Sequence, residues 1–268
     1  MRPQGDRLLP SDLRQQLRTR LFGRRIYYYP EVDSTNRAAA DLARSGEVEG
    51  TLVVAEFQTR GRGRGDHTWS SPAGKDLLFT ILLRPEGAVQ YRLPVTLVFS
   101  LGVSRVLSEA LGVAVVVDWP NDLVIDGLKI GGILAEGSAA PGTADFVVVG
   151  FGVNVNSERV DFPESIRAGV TSCRVVAGHE WDRAPLLAAI LGATEAGYER
   201  FRSGGFAELR AEYEEKLVAG KRRVMFERKG TRKVGVVEGV SDDGALRVRI
   251  DDGEEVEFLY SETVTLLP

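Results

Sequence analysis

The chain has 268 residues, with 34 Lys and Arg against 38 Asp and Glu, 43% hydrophobic and 27% charged side chains. This is a globular composition, and at this length folding buries roughly three quarters of the unfolded surface, enough for one large domain with a small appendage. A net charge of −4 excludes broad attraction to phosphate backbones, so any anion site has to be local; the single cysteine, Cys173, excludes an internal disulfide, and with two histidines a structural metal is not expected.

The first 25 residues are charged and weakly helical. They contain no apolar run of the ~7–15 residues that a secretory signal needs, and they are too short for the three helices of a DNA-reading module. No apolar run elsewhere reaches the ~20 residues that span a bilayer. A cytoplasmic protein is expected, with neither DNA nor membrane as partner. A strand at 26–29 leads into Asp33-Ser34-Thr35-Asn36, side chains suited to capping the alanine-rich helix at 37–43. Apolar runs at 51–57 and 77–83 have strand length, and the glycine-punctuated segment 58–75 between them is too long for a hairpin turn; such loops are usually functional.

Residues 94–111 carry helical periodicity, 113–118 form a β-branched strand, and 123–125, Asp126-Gly127 and 128–135 read as a hairpin. A buried strand at 146–155 and helices at 184–201 and 207–217 follow, with Gly220 as the stop of the second helix. Four short alternating strands, 224–227, 233–240, 246–250 and 255–260, then predict a small barrel. The fold class is α+β: a mixed sheet packed with helices over residues 1–220, with 1–25 as a helical extension, then a β-barrel over 221–268.

Three segments can carry chemistry. In Gln58-Thr59-Arg60-Gly61-Arg62-Gly63-Arg64-Gly65, glycines let backbone N–H groups approach an anion while guanidiniums supply charge and forked donors. No Gly-Lys-Ser/Thr closes the segment, so it is not a Walker loop. A solvated basic loop and an RNA-contacting segment are the competing readings. In Trp119-Pro120-Asn121-Asp122, a two-residue turn at Asp126-Gly127 sets Val124 opposite Lys129 and Asp122 opposite Gly131, which puts a carboxylate and an ammonium on one hairpin face. A surface ion pair beside a packing glycine is the plainer reading. Gly150-Phe151-Gly152-Val153-Asn154 lacks the third glycine of a dinucleotide fingerprint and reads as a strand edge.

In combination these segments closely resemble the biotin protein ligases. The resemblance runs through Asp33-Ser34-Thr35-Asn36, Glu56 to Arg64 with Trp69, Trp119-Pro120-Asn121-Asp122, Leu128 to Glu136 with Lys129-Ile130-Gly131-Gly132, and Gly150 to Asn154, in the family's order and spacing. It is strong over about residues 26–156, weak over the helical region, and takes in the last fifty or so residues as the family's small SH3-like C-terminal barrel. The form implied is the short one, without an N-terminal DNA-binding domain.

The resemblance implies two half-reactions. Biotin and MgATP form biotinyl-5′-AMP and pyrophosphate; the acyl group then passes to a lysine of a biotin carboxyl carrier protein, a subunit of acetyl-CoA carboxylase or a related enzyme. It implies Lys129, Arg62, Arg64 and Asp122 as the catalytic set. Ser34, Thr35, Asn36, Gln58, Gly61 and Gly131 join Arg62, Arg64 and Lys129 around biotin, and Arg64, Trp69, Asn121, Lys129 and Asn154 flank ATP, with Mg2+ arriving on the nucleotide. A homodimer through the sheet is also implied. Two positions depart from the family pattern: Gly65-Asp66-His67 stands where a further arginine is usual, and Asp118 where a basic residue usually precedes Trp-Pro-Asn-Asp. Both make this site less positive than its relatives. A lipoate or octanoate ligase or transferase, which needs a long apolar tunnel, and a non-catalytic RNA-binding module remain the alternatives.

Overall fold

Seven strands rich in Val, Ile, Leu and Phe line up in one mixed sheet, in the order β1-β2-β3-β7-β6-β5-β4. They are β1 (Ile26–Tyr29), β2 (Leu52–Ala55), β3 (Leu77–Leu83), β4 (Val116–Asp118), β5 (Asp122–Ile125), β6 (Leu128–Ser138) and β7 (Phe146–Val153). Only β1 and β2 run parallel; every other neighbouring pair is antiparallel. The computed structural model describes residues 7–85, 91–138, 145–228, 231–251, 255–258 and 264–267.

Side chains alternate across a strand, so each strand feeds two faces. One face carries Leu52 and Val54, Phe79 and Ile81, Val149 and Phe151, all buried in the main core with α3 (Arg92–Leu111) and α5 (Arg183–Gly204). The rings of Phe79 and Phe151 stack at 4.4 Å and Phe99 of α3 lies 5.6 Å from Phe151. Each such side chain contributes roughly 1.5–3 kcal/mol by leaving water. By length and composition α3 could cross a membrane, but about two thirds of it is buried in this core. The other face is covered at one end only, by α2 (Thr35–Arg44), whose Ala39 and Ala43 pack on Val53, Leu82 and Val148. Among the described residues no helix covers the remainder of that face, and the candidate site lies there.

The N-terminal segment is an integral strap. Its helix α1 (Pro10–Gln16) buries Leu13, and the backbone N–H groups of Arg20, Leu21 and Phe22 all donate to the Glu195 carboxylate of α5. Residues 1–6 of the expected extension lie outside the described residues. Two helices complete the body: α4 (Cys173–Ala177), which the sequence reading did not predict, and α6 (Ala207–Lys216). Leu217, not Gly220, is the C-cap of α6; the Leu217 N–H donates to Glu214, and Val218 is then drawn onto the edge strand β4 by donating to Val117.

The C-terminal part is a five-stranded antiparallel sheet in the order β11-β10-β9-β8-β12. Its strands are β8 (Arg223–Arg228), β9 (Thr231–Val240), β10 (Leu246–Ile250), β11 (Glu255–Phe258) and β12 (Val264–Leu266). β12 was not predicted, and the last two residues expected in β11, 259–260, lie outside the described residues. Inward residues of β8, β9 and β10, among them Val224, Phe226, Val237 and Val248, join the main core, and the Trp119 indole donates to the Gly244 carbonyl at 3.1 Å. The appendage is thereby fastened to the turn that precedes Asp122.

Candidate functional site

A cavity of about 730 Å3 opens on the uncovered face of the sheet. Its floor is made by omission. Gly132 of β6 and Gly152 of β7 are cross-strand partners, and Gly150 pairs with Leu134. A Cβ on Gly150 would sit 2.0 Å from Asn36 Oδ1, and one on Gly152 2.4 Å from the Trp69 indole. Glycine at these two positions lets an amide and an indole lie directly on the strand.

The inner wall is a buried polar network at the start of α2. Gln58 Oε1 accepts from the Thr35 backbone N–H at 2.7 Å and lies 3.0 Å from the Thr35 hydroxyl. Thr80 Oγ1 is 2.7 Å from Asn36 Oδ1 and 2.8 Å from Thr35 Oγ1. Asn36 Nδ2 donates to the Leu134 carbonyl and to Glu136. Asn36 Oδ1 can only accept, so Thr80 gives it its one hydroxyl hydrogen, and that of Thr35 is shared between Thr80 Oγ1 at 2.8 Å and Gln58 Oε1 at 3.0 Å. Thr35 then presents lone pairs to a ligand, and Gln58 Nε2 presents N–H donors. Ser34 is the N-cap of α2 by position, yet its side chain caps nothing. The residue lines the cavity instead.

The outer wall is cationic. Lys129 Nζ lies 2.7 Å from Asp122 Oδ2 and 5.7 Å from the centre of the Trp69 ring, and the Asn121 amide donates to Asp122 Oδ1 at 2.9 Å. Arg62 pairs with Glu136 at 2.9 Å, and Arg62 and Arg64 both line the same cavity as Lys129. The glycine/arginine segment forms a small hairpin beside these groups: Gly63 N–H donates to His67 O at 2.8 Å, and Trp69 N–H to Gly61 O at 3.0 Å. Trp69 Nε1 is buried with no partner among the described residues. On β4, opposite Asp122, desolvation and the adjacent Asp122 carboxylate push the Asp118 carboxyl above its ordinary pKa, with Lys129 opposing.

Of the sequence-predicted site residues, Ser34, Thr35, Asn36, Gln58, Arg62, Arg64, Trp69, Asn121, Asp122 and Lys129 line this one cavity. Three predicted residues do not. Gly131 pairs with Leu123, because an irregularity after the Val124–Lys129 pair shifts the register by one residue and brings Gly132, not Gly131, opposite Asp122. Gly61 is buried within the hairpin, where a Cβ would meet the Trp69 carbonyl at 2.4 Å. Asn154 is buried and turns its amide to the Thr171 carbonyl. Its segment, read as a strand edge, is the central strand β7.

The sequence profile of the Biotin/lipoate A/B protein ligase family matches residues 28–154, and that of the Biotin protein ligase C terminal domain matches residues 222–262. The bifunctional ligase/repressor BirA of Bacillus subtilis (strain 168) is 32% identical over 260 residues, which cover 97% of this chain and 79% of the relative. The chain belongs to the biotin protein ligase family. The biotin--[acetyl-CoA-carboxylase] ligase of Paracoccus denitrificans is 32% identical over 84% of this chain and 94% of its own. The biotin protein ligase of Aquifex aeolicus, solved in complex with biotin and ATP, superimposes with a TM-score of 0.78 at 28% identity, covering 91% of this chain and all of that one.

In this family member, sequence reasoning missed Gly132, Gly150 and Gly152 as site residues, and Thr80 and Glu136 as the groups that hold Asn36 and Arg62 in place. A signal was present: glycines two apart on one face of an otherwise β-branched, buried strand mark a close approach.

Proposed function

We propose that this chain is a biotin--[acetyl-CoA-carboxylase] ligase that forms biotinyl-5′-AMP from biotin and ATP and transfers the biotinyl group to a carrier-protein lysine. One observation carries the reading: Arg62 and Arg64 of the glycine/arginine segment and Lys129 of β6 share a cavity whose inner wall offers hydroxyls and an amide. A ureido ring has one carbonyl acceptor and two N–H donors; Gln58 Nε2 and the Ser34 hydroxyl suit the first, the lone pairs of Thr35 the second. The polar wall also favours this ring over the apolar tunnel that a lipoyl chain needs.

In the first step the biotin carboxylate attacks the α-phosphorus of ATP, forming a C–O–P bond and expelling pyrophosphate. Both reactants are anionic, so the barrier is largely electrostatic, and fixed cations in a partly dry cavity lower it. Lys129 is held by Asp122 and Arg62 by Glu136, so their charges are placed before substrate arrives. Mg2+ brought with ATP as part of the substrate would supply further charge neutralisation at the phosphates. The glycine/arginine hairpin, which lines the cavity, keeps water from the mixed anhydride. In the second step a neutral amine attacks the acyl carbon and expels AMP. Asp122, at the cavity wall beside Lys129, orients the incoming amine or takes its proton.

Pyrophosphate exchange with biotin and with lipoate, followed by mass spectrometry of a carrier domain incubated with ATP and biotin, tests the reading. Biotin-dependent exchange and one biotinyl addition are expected. Exchange with lipoate alone, or salt-sensitive RNA binding with no biotin-dependent turnover, overturns it.

A further inference from the structure

Asp76, one residue before β3, is buried and touches no part of the cavity, yet four groups converge on its carboxylate. Oδ1 accepts from the backbone N–H groups of Val155 at 2.8 Å and Ser157 at 3.2 Å; Oδ2 accepts from the hydroxyls of Ser71 and Ser157, each at 2.6 Å. Burial pushes its pKa above the usual carboxylate range, and those hydrogen bonds pull it back. An acid kept in so costly a place by four donors holds something in position.

Two segments meet there. Ser71 belongs to the root of the glycine/arginine segment, two residues beyond Trp69. Val155 to Ser157 belong to the exit of β7, which continues toward Lys129. Asn154 N–H donates to the Ile130 carbonyl, Asn154 Nδ2 to the Thr171 carbonyl, and Thr171 N–H to the Lys129 carbonyl. Lys75 reinforces the junction: its carbonyl accepts from Asn156 N–H, and its ammonium pairs with Asp161. The inner wall of Ser34, Thr35 and Gln58 is held by a different network, through Thr80 and Asn36.

Building on the ligase reading above, we propose that Asp76 is a positioning residue for adenylation, clasping the root of the glycine/arginine hairpin to the exit of β7 and so setting the spacing of Arg64 and Trp69 from Lys129. It acts through these segments and touches no substrate. A misplacement of about 1 Å between reacting groups costs on the order of a hundredfold in rate, so a clasp of this kind is read in kcat. Biotin affinity, which rests chiefly on the inner wall, changes far less than kcat.

The test is pyrophosphate-exchange kinetics together with direct biotin titration for wild type, Asp76→Ala, Asp76→Asn and Ser71→Ala. Asp76→Ala is expected to lose about ten- to a hundredfold in kcat, with biotin Kd within about twofold of wild type. Asp76→Asn is expected to recover most of kcat, because Asn Oδ1 still accepts two N–H groups and its Nδ2 can donate to the two hydroxyls, which reverse their roles. Ser71→Ala, losing one of the four contacts, is expected to fall a few-fold in kcat only, and it decides the matter with Asp76→Asn should Asp76→Ala fail to fold. Unchanged kcat in a folded Asp76→Ala or Ser71→Ala, an equal loss of biotin affinity and kcat, or an Asp76→Asn no better than Asp76→Ala overturns the proposal. A wild-type chain without biotin-dependent exchange overturns the ligase reading itself, a separate result.

Discussion

The two faces of the seven-stranded sheet come from the same strands and differ in what their alternate positions carry. On the core face, Phe79, Phe151, Val149 and Ile81 fill the space against α3 and α5. On the site face, the intervening positions carry Thr80, Gly150, Gly152 and Gly132, and the volume left over is a cavity into which Asn36, Trp69 and Lys129 reach. One ion pair from each face differs in the same way. Arg183 and Glu56 are paired at 2.9 Å with the arginine fully buried, whereas Lys129 and Asp122 are paired at 2.7 Å with each side chain about one third exposed. The first ties Glu56 to α5 and serves the fold; the second stays open to ligand. Substitutions on the two faces therefore have separable consequences.

The sharpest break in that comparison is to add one carbon on the site face and to remove a ring on the core face. Gly152→Ala places a Cβ where the Trp69 indole lies, at 2.4 Å, so the indole has to leave the strand. We expect adenylation to fall by roughly a hundredfold in kcat/KM, with thermal unfolding nearly unchanged. Near-normal exchange in that variant shows that the glycine floor is not part of the site. Phe79→Ala, on the opposite face of the neighbouring strand, is expected to lose ~3–5 kcal/mol of stability in denaturant unfolding while the folded fraction keeps its kcat. A stable but inactive Phe79→Ala contradicts the division of labour.

Smaller effects refine it. Glu136→Gln removes the charge facing Arg62 but keeps an acceptor for Asn36, and the Arg62–Glu136 pair is more than half exposed on the arginine side. A rise of about two- to threefold in biotin KM is expected, shrinking at high salt. Cys173 is the mildest probe. It is buried, and burial, with a smaller contribution from Asp76, pushes its thiol up to about 12. Its thiolate is scarce at pH 8, so iodoacetamide is expected to label the native protein far more slowly than the unfolded one. A raised thiol pKa means that the folded state holds the proton more tightly, so this contribution to stability is intact below about pH 9 and is lost as pH rises toward 12. Rapid native labelling at pH 8 contradicts the packing around α4.

Much of this was legible in the sequence because local rules governed it. The hairpin turn at Asp126-Gly127 correctly set Val124 opposite Lys129 and brought Asp122 within reach of Lys129, since turn chemistry and strand period fix both. The same rules failed one residue later: a bulge is not encoded by alternation, and it exchanged Gly131 for Gly132. Ser34 and Asn36 were read as capping residues of α2, but tertiary contacts redirect them, Asn36 to Thr80 and Glu136 across the sheet, Ser34 to the cavity. Asn154 was expected beside nucleotide, and its amide is spent on Thr171. No sequence signal announces Asp76, whose four partners come from segments up to 81 positions away. Non-local pairing of that kind is visible only once the strands are in register.

The central claim is that Lys129 serves as a fixed charge in the cavity and not as a packing residue. Pyrophosphate exchange by Lys129→Ala, measured beside its thermal unfolding, tests it most directly. The account predicts loss of biotin-dependent exchange by about a hundred- to a thousandfold with an unfolding midpoint close to that of wild type. Exchange within a few-fold of wild type in a folded Lys129→Ala contradicts it.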